Sequence, residues 1–187
     1  NINDKRDVYI DKGKIISLKK KPNGFKSDLD INAKDKIILP GLVDICGRLG
    51  EIGSEKNIAI KNELKAANRS GITSICVPPD IQPTIDTPAI VEFINRRASE
   101  SNRANIFPLG ALTQELNGKE LTEMFLLKAA GCIGVSNGDV AIENTEVLRR
   151  AFEYAKSCDL TVFIFAEDSK IKNNGVAHEG AISTRLG

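Results

Sequence analysis

Short apolar runs alternate with amphipathic helical segments from residue 42 to residue 165, and this alternation restricts the possible folds most strongly. Strands that alternate with helices predict βα units arranged on a parallel sheet. The predicted strands are 42–45, 72–77, 106–111, 132–135 and 161–165, and we expect the first of them to be buried. The predicted helices are 57–70, 88–98, 119–130 and a fourth capped by Asn144. The inner face of this fourth helix is predicted to carry Val147, Leu148, Ala151, Phe152 and Ala155. The pattern alone leaves a (β/α)8 barrel and an open doubly wound sheet as alternatives.

The first 38 residues predict a separate, small β unit. Apolar runs at 8–10 and 15–18 lie on either side of a Lys-Gly turn, and this turn chemistry favours a hairpin. Two further short strands are predicted at 28–31 and 37–39. We therefore predict two domains, with residues 1–38 in the first and residues 39–187 in the second.

Composition and motifs exclude several classes of function. The chain has 26 Lys and Arg residues and 25 Asp and Glu residues, which gives a net charge of +1. This near balance argues against binding to nucleic acid or to an anionic membrane. The sequence has no apolar run long enough to cross a bilayer. It also has no glycine-rich motif for a dinucleotide or a phosphate loop. The four cysteines form no C-x-x-C pair, and we expect free thiols in a reducing cytoplasm.

Residues 39–53 read LPGLVDICGRLGEIG, and this segment resembles the first-strand signature of the cyclic amidohydrolases. In the dihydroorotases the signature reads roughly L-P-G-L-V-D-x-H-x-H-x-R-E-P-G. The same resemblance extends over residues 78–88, 110–113, 148–155 and 178–180. It implies a (β/α)8 amidohydrolase barrel preceded by part of a small β-sandwich. We expect this chain to carry the first five βα units, with the C-terminal half of the barrel outside it.

The resemblance also marks positions at which the metal ligands of the family are replaced. Cys46 and Arg48 stand at the two histidine positions of the first strand. Asn137 stands at the position of a ligand aspartate after the fourth strand, and Phe165 at that of a histidine after the fifth. An arginine has no lone pair to offer a metal, and one thiolate does not make a zinc site. We therefore expect no bound zinc.

Two positions that hold the substrate carboxylate in the family are changed as well. Gly50 stands at the arginine position, and Pro79 stands at the asparagine position. The combination of residues 78–80, 134–137 and 177–180 resembles the non-catalytic dihydroorotase-like proteins of some bacteria. That resemblance implies a cytoplasmic, catalytically inactive protein that assembles with aspartate carbamoyltransferase in de novo pyrimidine biosynthesis. The alternative is an active dihydroorotase or a related metal-dependent cyclic amidohydrolase.

A few other side chains are candidates for chemistry. Glu167 and Asp168 could form an acid–base pair, although polar residues at the end of a strand more often bond to the next loop. His178, the one histidine of the chain, is expected to be a surface or structural residue. Cys46 has no histidine nearby in sequence to activate it as a nucleophile. Arg48 could bind an anion, but pairing with a local carboxylate such as Glu51 is the expected alternative.

Overall fold

The computed structural model of the chain describes residues 4–49, 58–101, 103–173 and 175–186. Two compact units divide the chain, Asn1–Leu39 and Pro40–Gly187. Within the described ranges, no helix combines the length and the apolar character that a transmembrane span requires.

The N-terminal unit contains a β-hairpin of β1 (Val8–Asp11) and β2 (Lys14–Leu18), paired antiparallel as predicted. Lys12 and Gly13 form the turn with φ values of 48° and 74°. Positive φ at both central residues is what a two-residue turn of type I′ requires. The ring of Tyr9 packs edge-on against that of Phe25, with centroids 5.5 Å apart.

The strands predicted at 28–31 and 37–39 are wrong, because both segments have irregular backbone. Their apolar side chains are exposed, and Ile37 reaches 85% exposure. Among the described residues, β1 and β2 pair only with each other, so neither segment has a partner strand to complete its backbone hydrogen bonds.

The C-terminal unit is built on a parallel five-stranded sheet in the order β3-β4-β5-β6-β7. The strands are β3 (Leu42–Asp44), β4 (Ile72–Val77), β5 (Asn105–Ala111), β6 (Gly134–Ser136) and β7 (Thr161–Phe163). An open doubly wound sheet needs a point at which the strand order reverses. The order here follows the chain without reversal, as in a barrel, and this decides between the two alternatives that the sequence left open.

Helices follow the strands in turn. They are α1 (Ile58–Arg69), α2 (Pro88–Ser101), α3 (Met124–Ala130), α4 (Thr145–Ser157), α5 (Ser169–Lys172) and α6 (Ala181–Leu186), with a 3-10 turn at Gln114–Leu116. Helix α3 begins five residues later than predicted, because Thr113 and Leu121 pair as an antiparallel bridge just before it.

Two groups of buried apolar residues fill the space between the sheet and the helices. The first group, between β4, β5, α1 and α2, is centred on Leu64, Ile75, Val77, Ile85, Val91 and Ile94. The second, between β6, α3 and α4, is centred on Leu112, Met124, Val135, Ala151 and Ala155. Two expectations of burial are wrong. The Phe152 side chain is 42% exposed, and β3 is exposed at Leu42 and Val43 because it lies at the edge of the described sheet.

Asn144 caps helix α4 as predicted, and its removal should weaken the unit measurably. Its side-chain oxygen accepts hydrogen bonds from the backbone N–H of Glu146 at 2.9 Å and of Val147 at 3.4 Å. We expect Asn144→Ala to lower the free energy of unfolding by about 1 kcal/mol. Asn144→Asp keeps the acceptor and is the matched control. Urea denaturation measures both, and equal losses for the two variants would contradict the capping role.

Candidate functional site at the strand ends

The C-terminal ends of parallel strands meet along one edge of a sheet, and barrel enzymes place their active sites there. In this chain the segments 45–49, 78–80, 112–113, 137–139 and 164–165 follow strands β3, β4, β5, β6 and β7. We call this set of segments the mouth. Gly50 lies outside the described residues, so the structure says nothing of that position.

Arg48 lies across the mouth and pairs with carboxylates from two other strand ends. Its Nε and Nη2 donate to Oδ2 of Asp80 at 3.1 and 2.7 Å. Its Nη2 also donates to Oδ2 of Asp139 at 2.7 Å. Its Nη1 lies 3.8 Å from Sγ of Cys46, a weak hydrogen bond. The guanidinium thus links segments that follow β3, β4 and β6.

The backbone on either side of Arg48 is held in place. The carboxylate of Asp44 accepts a hydrogen bond from the Cys46 N–H at 3.0 Å, which fixes the turn out of β3. The Gly47 N–H donates to the carbonyl of Cys76 on β4 at 2.9 Å. Leu49 is buried in the core next to β4. These contacts leave the Arg48 side chain directed along the mouth.

Glycine at position 138 lets the segment after β6 approach Asp80 closely. Its φ is +59°, and an added Cβ would fall 2.7 Å from Cβ of Asp80. Any larger residue would push the Asp80 carboxylate away from Arg48. Because Asp139 follows directly, the second carboxylate is also delivered to the guanidinium.

The charges at the mouth are paired before any ligand arrives. The Asp80 hydrogen bonds and charge raise the pKa of Arg48 further above its ordinary value, with Asp139 and Cys46 adding smaller contributions. The arginine therefore stays a cation at every pH that the fold tolerates. Its side chain is 44% exposed while that of Asp80 is 17% exposed, so water screens the network in part. Oδ1 of Asp80 is buried and accepts no hydrogen bond.

Asn137 is buried, and both ends of its amide are hydrogen-bonded to neighbouring groups. Its Oδ1 accepts a hydrogen bond from Oγ1 of Thr113 at 2.7 Å. Its Nδ2 donates to the carbonyls of Val140 at 3.0 Å and Leu116 at 3.4 Å. Thr113 in turn accepts the Gly118 N–H at 2.9 Å. Asn137 therefore ties the loop after β5 to the loop after β6, through an amide whose oxygen and N–H group already have partners within the chain.

The remaining predicted positions offer little polar chemistry. Pro79 is buried, and its carbonyl accepts the Ile85 N–H at 3.2 Å. Phe165 is 46% exposed and follows the end of β7. Cys46 is exposed and free, whereas the thiols of Cys76, Cys132 and Cys158 are free and buried. Burial raises the pKa of the Cys132 thiol to about 12, which keeps it protonated and unreactive.

The other candidates from the sequence serve local structure or the surface. Asp168 caps helix α5 by accepting the N–H of Lys170 and of Ile171 at 2.9 and 3.0 Å. Glu167 pairs with Lys172 at 2.7 Å rather than with Asp168. His178 is exposed in the loop before α6.

Sequence reasoning missed the two partners of Arg48. It expected a neighbour such as Glu51, which lies outside the described residues. A usable signal was present, because Asp80 and Asp139 each follow a predicted strand by a few residues. In a parallel sheet, carboxylates after β4 and β6 reach the edge that Arg48 reaches after β3. Thr113 carried no comparable signal, since its partner is one particular buried amide.

The donor set at the mouth does not fit the metal that the amidohydrolase resemblance implies. Zinc sites combine imidazole, thiolate and carboxylate ligands. At the four expected positions the chain offers one thiol, a cation, an amide that is already bonded and a phenyl ring. Among the residues that the structure describes, no three His, Cys, Asp or Glu side chains are grouped to hold a metal ion.

Comparison with known proteins identifies similar chains. Residues 35–187 match a family model described as dihydro-orotase-like. A dihydroorotase-like protein of Pseudomonas aeruginosa is 38% identical over 181 residues, which cover 97% of this chain and 43% of that protein. A dihydroorotase of Trichlorobacter lovleyi is 35% identical over 186 residues, covering 100% of this chain and 44% of that protein. The chain thus spans less than half the length of these relatives.

A solved structure supports the fold. The L-hydantoinase (dihydropyrimidinase) from Arthrobacter aurescens superposes with a TM-score of 0.68 at 19% identity, covering 91% of this chain and 40% of that one. At this identity the likeness concerns the fold alone. It confirms the predicted architecture, part of a (β/α)8 barrel.

Restoring the carboxylate at position 137 should destabilise the protein. In Asn137→Asp, an ionised side chain would face the carbonyls of Leu116 and Val140 in a buried site. The two N–H donors of the amide are lost, and the carbonyl oxygens of Leu116 and Val140 repel a carboxylate. Both effects disfavour the charged form, so the pKa of the introduced carboxyl rises on folding. We expect a loss of about 1–3 kcal/mol at pH 7.

The pH dependence identifies the cause of that loss. A carboxyl whose pKa is raised by folding costs little below its unfolded pKa of about 4, and the cost grows as the pH rises above it. The difference in unfolding free energy between wild type and Asn137→Asp should therefore widen from pH 4 to pH 7. Asn144→Asp is the matched exposed control. A difference that stays flat with pH would show that the introduced charge is not buried.

Proposed function

The chain belongs to the dihydroorotase-like family, and from that premise we propose that the protein is a catalytically inactive member of it. Its proposed role is to act as a structural partner of aspartate carbamoyltransferase in de novo pyrimidine biosynthesis, in the cytoplasm. The observation that carries the proposal is the position of Arg48. A guanidinium stands where the resemblance implies a metal-binding histidine, and it is already paired with Asp80 and Asp139.

The chemistry of cyclic amide hydrolysis supports inactivity. Opening such a ring needs a water made nucleophilic near neutral pH and a polarised carbonyl, and in this superfamily a metal ion supplies both. The mouth instead presents a cation whose charge is satisfied by its own carboxylates. The Asn137 amide is engaged by Thr113 and by two backbone carbonyls, so it is not free to act on a substrate.

The alternative proposal, an active amidohydrolase, would need a different set of ligands. It would have to draw them from parts of the full-length protein outside this chain, and Arg48 would have to leave the mouth. The similarity to the dihydroorotase of Trichlorobacter lovleyi keeps this alternative open to test, since that relative carries the enzyme's name.

The surface supports a partner matched by shape rather than by strong charge. The net charge is +1, which gives little long-range steering toward an oppositely charged partner. The side chains of Phe125 on α3 and Phe152 on α4 are 65% and 42% exposed on the helical layer. Exposed aromatic side chains are enriched in protein interfaces. The identity of the partner rests on the family resemblance.

We predict that the full-length protein binds no stoichiometric zinc and does not turn over dihydroorotate. The reason is the donor set at positions 46, 48, 137 and 165. The measurement is metal analysis after dialysis together with an assay in both directions of the reaction. The Trichlorobacter lovleyi dihydroorotase, purified in the same way, is the control for metal retention and activity. One zinc per chain, or turnover comparable with that control, would reject the inactive assignment.

We also predict a stable complex between the full-length protein and aspartate carbamoyltransferase. If the outer surface carries this role, changes at the mouth should leave the complex intact. Phe165→Ala removes an exposed ring at the end of β7, and Phe125→Ala is the matched removal on the outer helix α3. Size-exclusion chromatography with light scattering on the mixed proteins measures the complex.

Phe165→Ala should elute with aspartate carbamoyltransferase as the parent protein does. A greater loss of complex with Phe165→Ala than with Phe125→Ala would locate the contact at the mouth and contradict the scaffold proposal. Two separate peaks for the parent protein at micromolar concentration, with carbamoyltransferase activity unaffected by its presence, would reject the partnership itself.

A further inference from the structure

We propose that Arg48 is an internal cationic clamp that holds three strand ends of the mouth together. Its guanidinium would do the cross-linking that a bound metal ion performs when ligands from several strands converge on it. The proposal concerns contacts within this chain, so it stands or falls independently of the partner and of catalytic activity.

The clamp joins segments that are far apart in sequence. Asp80 lies 32 residues from Arg48, and Asp139 lies 91 residues from it. The planar fork of the guanidinium allows this, because Nε and Nη2 both reach one oxygen of Asp80 while Nη2 also reaches Asp139. A lysine carries one nitrogen and cannot reproduce that pattern.

The two carboxylates are placed so that they depend on the cation between them. Gly138 packs directly against Asp80, which brings Asp139 to the same guanidinium nitrogen. Without Arg48, two like charges would be left close together at the mouth. Asp80 would be the more affected, because its side chain is mostly buried and its Oδ1 already lacks a hydrogen bond. The segments after β4 and β6 should then separate or become more dynamic.

The test is amide hydrogen exchange of the full-length protein, read in peptides that contain residues 80–85 and 137–140, because Pro78 and Pro79 carry no N–H. Arg48→Met removes the charge and keeps much of the side-chain volume. We expect exchange in both peptides to rise roughly tenfold, because local opening becomes easier. Arg149→Met is the matched control, since Arg149 pairs with Glu153 at 2.5 Å on the surface of α4. It should leave both peptides unchanged.

Further variants separate a clamp from an ordinary surface ion pair. Arg48→Lys should give an intermediate rise, because the charge remains and the fork is lost. Asp80→Asn should raise exchange at residues 45–49 more than Asp139→Asn does, since Asp80 takes two of the three hydrogen bonds between Arg48 and the carboxylates. The double variant Arg48→Met with Asp80→Asn should raise amide exchange at the mouth no more than Arg48→Met alone does. Should Arg48→Met fail to fold, Arg48→Lys and Asp139→Asn carry the test.

Three results would overturn the proposal. Unchanged exchange at residues 80–85 and 137–140 in Arg48→Met, or effects of Arg48→Met and Asp80→Asn that simply add, would show that the strand ends do not depend on this cation. A rise of the same size in the wild-type protein on treatment with a chelator would show that a metal ion, and not Arg48, holds the mouth together.

Discussion

The order of the parallel strands is the constraint on which the site depends. Because β3 to β7 run in the same direction and follow chain order, the residues after each strand arrive at one edge of the sheet. Arg48, Asp80 and Asp139 are distant in sequence and meet there for that reason. The two groups of buried apolar residues between the sheet and the helices, one around Leu64 and one around Met124, hold the strands in this arrangement. The core thus sets which side chains can touch at the mouth.

The polar groups at the mouth are satisfied mainly by one another. Arg48 is neutralised by two carboxylates, and Asn137 gives both ends of its amide to Thr113 and backbone carbonyls. A binding site keeps polar groups that a ligand will complete, and their desolvation is repaid when the ligand arrives. In this mouth the Arg48 guanidinium and the Asn137 amide instead bind other parts of the loops. Any ligand placed there would have to compete with contacts that the chain already makes.

Much of the fold could be read from the sequence, because periodicity reports burial against a sheet. Strand β4 matches its predicted range, and the Asn144 cap of α4 is confirmed. The errors arose where an apolar pattern had no partner. The segments at 28–31 and 37–39 have strand-like residues but no neighbouring strand. Phe152 belongs to the apolar face of α4, but its side chain is only partly covered by the rest of the protein. The positions of the site residues were implied by the family resemblance, whereas the pairing of Arg48 with Asp80 and Asp139 depended on tertiary geometry.

Membership of the family determines the architecture of this chain and leaves its chemistry to particular residues. Chains called dihydroorotase and dihydroorotase-like protein are similar to it at almost the same level of identity. Overall similarity therefore cannot separate an enzyme from a protein that only shares its fold. We propose that the residue at position 48 can, because a guanidinium and a metal ion are both cations that would compete for one place among the same strand ends. On this proposal, a chain with Arg48 in that place keeps the cross-link at the mouth without the Lewis acid.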